Sequence, residues 1–553
     1  MNEYELLGKL HNIIDENINE KIYKWLDDHN VNYYLLYPLA AVELGARLNP
    51  PQSMDNLFKR CIAAYIFSKA KEHGKEFYLR KFNTPGFKKY LKLYEKELVP
   101  LYQNYRFSKE INDINPFSKP RLTQEDEKRY ILTTSLVSDV YSEENFYFYG
   151  VDEPEDTNKE KIQVENLHRK FWNKIFLEKK GFKEIQDNVD RELYKACIEI
   201  VEKDLNKWNS NVRSEVFDNP GQLAKVIAYF YYHAMIKSIM ICIDMQYEKD
   251  YFNIGKDCIM ILEKDFCIRT ISNISGISIQ KVSNIVEYFI NDGRMNLLEF
   301  PLLEVENKII TIPSTIMVND WQFTVVNGHY IKGISIRNRE RTISTITEGR
   351  IERTLQDVEN VAVAKTKTYS FVDETGETQC SDIDYAIYDM SRNILLIIEA
   401  KWIDKHYKDE MDKRYGMILQ SLNKIYTKQI EKHKKYLEND DNIDNLFEGD
   451  SRYHKAAERP QIFYLAVDKR NQLHINERHM ISEYMLIYFL KKHIKNRQLD
   501  LWEMWKEIEP LQTKVEYITV SDEYYEIPVD DEIMLVEQND LYWDEKVLRT
   551  INR

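Results

Sequence analysis

The chain has 553 residues, 43% of them apolar and 12% aromatic, with only 16 glycines and 14 prolines. That excludes a disordered, collagen-like or low-complexity protein. At roughly 150 residues per domain it allows three or four domains, each able to bury a core without a disulfide or metal staple. Against 77 basic residues stand 91 acidic ones, a net charge of −14, so a uniformly basic nucleic-acid binder is excluded.

The charge is unevenly placed. Trp502 to the end carries 14 acidic and 5 basic residues, whereas Lys401–Tyr436 carries 10 basic and 5 acidic ones. One stretch can therefore face phosphates while the whole molecule stays acidic. Cys61, Cys197, Cys242, Cys258, Cys267 and Cys380 form no CxxC pair, which points to a reducing cytoplasm. MNEYELLGKL lacks the pattern of a signal peptide. Val226–Ile243 is apolar but interrupted by His233 and Lys237, so we expect a buried helix and no membrane partner.

The N-terminal half reads as mostly helical. Apolar residues recur every three or four positions in Tyr4–Trp25, Met54–His73, Lys88–Tyr105, Asn166–Phe176 and Gln222–Met245. Asn112–Asp126 and Gly150–Lys161 read as connectors, dividing this half into helical regions 1–125 and 126–255. Its many Tyr and Phe are expected to pack rather than bind.

Residues 256–330 change character. A short helical pattern, Arg269–Ile274, is broken by Gly276 and followed by the amphipathic Ser278–Ile290. Strand-like segments Leu297–Val305 and Lys308–Ile312 come next. The pattern resembles a winged helix-turn-helix, with Gly276 giving the tight turn and Val282 and Ile285 packing inward. Ser278, Gln280, Lys281 and Asn284 would face bases or phosphates. The plainer alternative is a winged fold that only joins domains.

Residues 331–500 carry the chemistry. A helix at Arg350–Asn360 precedes strands Val361–Phe371, Asp382–Tyr388 and Ile394–Ile398, the last a continuous apolar run as in a strand covered on both faces. That run ends in Glu399-Ala400-Lys401. A basic helix at Tyr415–Leu437, a strand at Gln461–Val467 and a helix at Arg478–His493 complete an α-β-β-β-α-β-α order. In a strand, residues two apart share a side. Glu399 and Lys401 therefore lie together, Ala400 turns away with its carbonyl available, and Asp384 closes a pair of carboxylates from the neighbouring strand. Asp382 shares the face of Asp384 and is the alternative. Such a pair suits Mg²⁺, which takes few carboxylates and several waters. An ammonium beside a bound water orients it; to act as a base, Lys401 needs a lowered pKa. The bland alternative is a surface salt bridge.

Lys424, Lys428, Lys432 and Lys435 recur at spacings of four, four and three, with Gln429 beside them. They form either a nucleic-acid backbone track or a solvated face. His406 and His433 have no partner histidine at metal spacing and are not expected as ligands.

The string SDIDYAIYDMSRNILLIIEAKW, Ser381–Trp402, in this order of elements, resembles the PD-(D/E)XK nuclease superfamily. The likeness covers less than a third of the chain, about Ile343–Lys495. It departs from the founding pattern where Ser381, not proline, precedes Asp382. It implies an α/β restriction-endonuclease-like core with a central mixed sheet, behind the mostly helical half and the winged-helix-like segment, in a multidomain α+β chain. It also implies Asp384, Glu399 and Lys401 as catalytic, with Glu352 on the preceding helix and Gln429 on the following one. Asp384, Glu399 and the Ala400 carbonyl would bind the metal, Mg²⁺ or Mn²⁺ in its place. Lys281, Gln280 and the four-lysine stripe would contact nucleic acid, first of all DNA.

The implied protein is a metal-dependent nuclease, in an architecture similar to bacterial restriction and anti-phage defence proteins. Its alternatives are an RNA-directed nuclease, or a binding or assembly factor with a silent nuclease fold. Enzymes of this fold often act as dimers, so a homodimer or a partner subunit is within the expectation. No GxxxxGK[ST] string is present. Residues 501–553 read as an acidic extension with strand-like pieces Tyr517–Val520 and Tyr524–Val529, either a small subdomain or a cover over the basic track.

Overall fold

The computed structural model describes residues 2–537, apart from 49–53, 112–119, 139–153, 206–210, 248–250, 294–296, 320, 404–410, 470 and 518–522. It is a mixed α/β protein with several sheets. Glu3–Asp28 is capped by Asn2, whose side chain accepts the Glu5 N–H, and buries Leu6, Leu10, Ile14, Ile18, Ile22 and Leu26, one residue per turn. It packs with Leu36–Leu48, Met54–Glu72 and the run from Thr84 to Ile111. Leu36–Leu48 is buried on nearly every side, so it carries no amphipathic period and escapes a periodicity search.

A second cluster gathers Arg191–Leu205 and Pro154–Trp172 around Pro220–Tyr247. The connector expected at Gly150–Lys161 is helical from Pro154 onward, with proline at the first helical position; its first residues lie outside those described. Pro220–Tyr247 is the one helix among the described residues long and apolar enough to cross a membrane, and 78% of its apolar window is buried inside the protein.

Lys264–Ser275 and Ile279–Phe289 flank Gly276, which takes a left-handed φ of 73°. Three strands complete this unit in the order Met260–Glu263, Lys308–Thr311, Leu303–Val305. The strand expected to begin at Leu297 is confined to Leu303–Val305, and the unanticipated first strand precedes both helices.

The acidic extension does not stand alone. Tyr524–Val529 and Glu532–Glu537 join Arg121–Gln124 and Arg129–Thr133 in one four-stranded sheet. Lys514–Tyr517 pairs with Ser135–Ser138. Ile527, Val529, Met534 and Val536 enter the N-terminal core, and Asp530 pairs with Lys9 at 2.5 Å. The strands Tyr524–Val529 and Glu532–Glu537 are thus fixed to the N-terminal half rather than forming a small subdomain of their own. Leu501–Ile508, by contrast, packs on the C-terminal sheet, and Val515 on the cluster of the basic helix. Of the extension's expected strands, Tyr524–Val529 forms, whereas 518–520 lie outside the described residues.

The C-terminal unit is built on a six-stranded mixed sheet. Its elements are α1 (Arg339–Leu355), β1 (Val361–Val372), β2 (Thr378–Asp389) and β3 (Ile394–Lys401), then α2, in three pieces (Met411–Lys424, a π-turn at Ile425–Ile430 and Glu431–Leu437). β4 (Gln461–Asp468), β5 (Leu473–Ile475), β6 (Arg478–Ser482), α3 (Glu483–His493) and α4 (Leu501–Ile508) follow. The sheet order is β5-β6-β4-β3-β2-β1. β3 is antiparallel to β2 and parallel to β4. The helix expected at Arg478–His493 starts only at Glu483, where the Ser482 side chain accepts the Met485 N–H; the residues before it pair with β4 and β5. Helices α1, α3 and α4 cover one sheet face, and α2 the other. Burial on both sides is why Ile394–Ile398 reads as an unbroken apolar run.

Candidate active site

β2 pairs with β3 only from Tyr385 to Asp389. Beyond Tyr385 it leaves β3 and continues with β1 as a two-stranded arm. Asp384 is the first residue past this fork. The β1–β2 ladder also skips it, because Thr366 opposite takes a left-handed φ of 47°, strained for a β-branched residue. The open edge of β3 is closed by the Asp384 side chain: the Ala400 N–H donates to its Oδ2 at 2.8 Å.

Along β3, Lys401 gives its carbonyl to Lys469 N–H on the β4 side. Ala400 therefore presents both backbone groups on the opposite edge, toward Asp384. Glu399 and Lys401 share the face that α2 covers. The Lys401 ammonium lies 3.0 Å from Glu399 Oε2 and 3.5 Å from Asp384 Oδ2. Asp384, Glu399 and Lys401 thus meet at one fork. Asp382, by contrast, is exposed.

Glu399 has a further partner. Its Oε1 lies 2.6 Å from His433 Nε2, on α2, and His433 Nδ1 lies 2.5 Å from the Tyr369 hydroxyl on β1. His433 is fully buried, and Tyr369 stacks on Tyr436 with centroids 3.9 Å apart. The sequence expectation that His433 is no metal ligand is compatible with this place, but its contact with the carboxylate was missed. The available signal was position. His433 lies among the buried residues of α2, with Leu422, Ile425, Ile430 and Leu437, so a polar side chain there needs a buried partner.

Burial and the neighbouring Glu399 charge push the Asp384 carboxyl up to about 7, against the opposing Lys401 charge and the Ala400 N–H. Burial also pushes Glu399 up, but the His433 hydrogen bond and the Lys401 charge outweigh it, and Glu399 is held below its ordinary value. Burial lowers Lys401, yet Glu399 and Asp384 more than offset that, so its pKa is raised. In this arrangement Lys401 is a standing cation, not a base.

Glu352 is not brought to this group. It is exposed and pairs with Lys365 at 3.0 Å. One turn earlier, Glu348 is buried, accepts from Thr366 Oγ1 at 2.9 and 3.0 Å, and is raised by burial despite that hydrogen bond. Asp382 and Glu352 both act on its charge. Glu348 is therefore the better-placed carboxylate of α1.

The π-turn of α2 bonds i to i+5 and admits an extra residue, which breaks the four-four-three stripe. Lys428, Gln429, Lys432 and Lys435 line a groove of about 450 Å³ beneath the β1–β2 arm, and Lys424 is exposed outside it. On the winged-helix-like segment, Gln280 donates to Asn284 at 2.9 Å and Lys281 pairs with Asp218 at 3.0 Å. His406 lies outside the described residues.

No group of three or more His, Cys, Asp or Glu side chains converges as a metal cage among the described residues. The fork fits a sparser site. Beyond its ion pair, the buried Glu399 Oε2 accepts no hydrogen bond. Two carboxylates and one carbonyl edge leave room for the waters that Mg²⁺ retains. Comparison with protein-family models, curated proteins and solved structures finds no match.

Proposed function

We propose that the protein is a metal-dependent nuclease that hydrolyses phosphodiester bonds, first of all in DNA, through a restriction-endonuclease-like core in its C-terminal unit. The observation that carries this is the meeting of Asp384, Glu399 and Lys401 where β2 parts from β3. Two buried carboxylates beside one ammonium are costly unless they serve a ligand.

Asp384, Glu399 and the Ala400 carbonyl would hold Mg²⁺, whose chemistry is neutralisation of phosphoryl charge and activation of water. Lys401 stays protonated. It donates a hydrogen bond to the attacking water or to a phosphoryl oxygen, and offsets the charge that grows there. His433 holds one oxygen of Glu399, which leaves the other turned toward Lys401 and the metal position. Lys428, Lys432 and Lys435 supply counter-charge for the backbone flanking the cut.

The test is a cleavage assay on the full-length protein and Lys401→Ala. Plasmid, linear duplex, single-stranded DNA and RNA are each incubated with Mg²⁺, Mn²⁺ or EDTA. Metal-dependent cutting that Lys401→Ala loses supports the proposal, and an RNA-only pattern changes its substrate. Cutting that survives in EDTA or in Lys401→Ala overturns it.

A further inference from the structure

The groove beside the fork is built for more than a phosphate track. One wall is α2, with Lys428, Gln429 and Lys432; the other is the β1–β2 arm, with Phe371 and Ser381. Its two acids are already engaged. Asp373 accepts from Thr375, Gln379 and the Glu377 N–H, and Glu431 from Lys434 at 2.8 Å. No carboxylate among the described residues pairs with Lys428 or Lys432, and no hydrogen bond to a described residue occupies the Gln429 amide. Among the described residues Lys432 donates only to the Cys380 carbonyl, at 3.4 Å. The groove thus offers cations that no described carboxylate neutralises, an aromatic side chain and an amide in about 450 Å³. That is within the range of small-ligand pockets, which starts near 300 Å³, and too small for a duplex.

The groove also adjoins the fork. Ser381, on its wall, is the cross-strand partner of Tyr369. Tyr369 reaches His433 and His433 reaches Glu399. With each group used in turn, Tyr369 donates to Nδ1 and Nε2–H donates to Glu399.

We propose that this groove binds an unpaired nucleotide of the substrate strand, its base against Phe371 and Gln429 and its flanking phosphates on Lys428 and Lys432. The proposal rests on the nuclease reading and deepens it by naming the substrate class. Duplex exteriors offer phosphates but hide base faces within the stack, so an aromatic wall has no use there. Cation-lined grooves with aromatic platforms suit single strands. The same chemistry is offered by a base drawn out of a duplex.

The test is fluorescence anisotropy of the full-length protein in EDTA. Its probes are a labelled DNA strand, an RNA strand, the fully paired DNA duplex, and that duplex with one bulged base. We expect a DNA or RNA strand, the bulged duplex, or both to bind at least about tenfold tighter than the paired duplex. Preference for strands assigns the pocket to single-stranded substrate, and preference for the bulge alone assigns it to an extruded base.

Phe371→Ala should erase the preference and Phe371→Trp restore it. Lys428→Ala, on the exposed side of α2 and safe for folding, should weaken every probe and lower the salt slope by about one. Equal binding of paired duplex and strand, or a preference untouched by Phe371→Ala, overturns the proposal, as does absence of binding. Metal-dependent cutting of paired duplex beside such a result would remove the groove's role and leave the nuclease. A preference for unpaired nucleotides without any cutting would do the reverse.

Discussion

The fork of β2 and β3 and the second helix of the winged-helix-like segment both present polar residues where the sequence expects nucleic-acid chemistry. They differ in what the fold does with the charge. At the fork, two carboxylates are buried together, and Lys401 sits 3.0 and 3.5 Å from them. On the second helix, Gln280 is bonded to Asn284 and Lys281 to Asp218, so its polar face satisfies itself. Residue type and spacing mark both places. Uncompensated charge in a buried setting marks only the first, and it is the better sign of function.

The largest expected effect comes from removing one charge at the fork. Asp384→Asn should lower metal-dependent cleavage at least about a hundredfold and at the same time stabilise the metal-free protein above neutral pH. The Asp384 carboxyl is raised from 3.8 to about 7 in the fold, so the folded state holds this proton more tightly than the unfolded state. The stability it contributes is complete below pH 4 and is lost as pH rises through 7, about 4 kcal/mol at most. In EDTA the melting temperatures of wild type and Asp384→Asn should therefore nearly coincide at pH 4 and separate by pH 8, the variant melting higher. A variant that melts lower at pH 8 would mean that the carboxylates are not in conflict, and the contrast between the two regions would fail.

His433→Ala comes next. A group that aligns a metal ligand through a hydrogen bond is typically worth 10- to 100-fold in metal affinity, and we expect that loss in Mn²⁺ titration calorimetry without substrate. His433→Gln, whose amide can still donate to Glu399, should recover part of it. Unchanged affinity in His433→Ala would mean that Lys401 alone sets the geometry of Glu399.

A third prediction concerns the tail. Met534 lies fully buried in Glu532–Glu537, the strand that ties the extension to Arg129–Thr133. Met534→Ala should cost about 2–5 kcal/mol in the N-terminal sheet, read by denaturant unfolding or local hydrogen exchange. A tail that only shielded the basic helix would instead give raised cleavage with unchanged stability.

Legibility followed the range of the interactions. Ile394–Lys401 was readable because one strand contains both the apolar run and the Glu-x-Lys ending. The paired acid was readable from one hairpin away. Glu348 and Glu352 differ by one helical turn, and only the packing of α1 on Thr366 decides between them. His433 required knowing which side of α2 faces the sheet, and the π-turn, invisible to a 3.6-residue period, shifts that side and puts Lys424 outside the groove. The pairing of Glu532–Glu537 with Arg129–Thr133 joins residues about 400 positions apart, for which no local pattern exists.

The smallest effect is the sharpest check on the comparison. Lys281 and Asp218 form a surface ion pair, with Asp218 well exposed, and such pairs contribute about 1 kcal/mol or less. Its cost to folding when broken is therefore small, and Lys281→Ala should remain folded. If the helix's polar face is internally satisfied, Lys281→Ala should change nucleic-acid affinity less than threefold, where Lys428→Ala changes it by the value of a phosphate contact and lowers the salt slope by about one. The two variants remove the same charge from the same acidic molecule, so net charge cannot explain a difference between them. An equal loss of affinity and of salt slope would show that Lys281 leaves Asp218 for phosphate, and that the winged-helix-like segment belongs to the binding surface as much as the groove does.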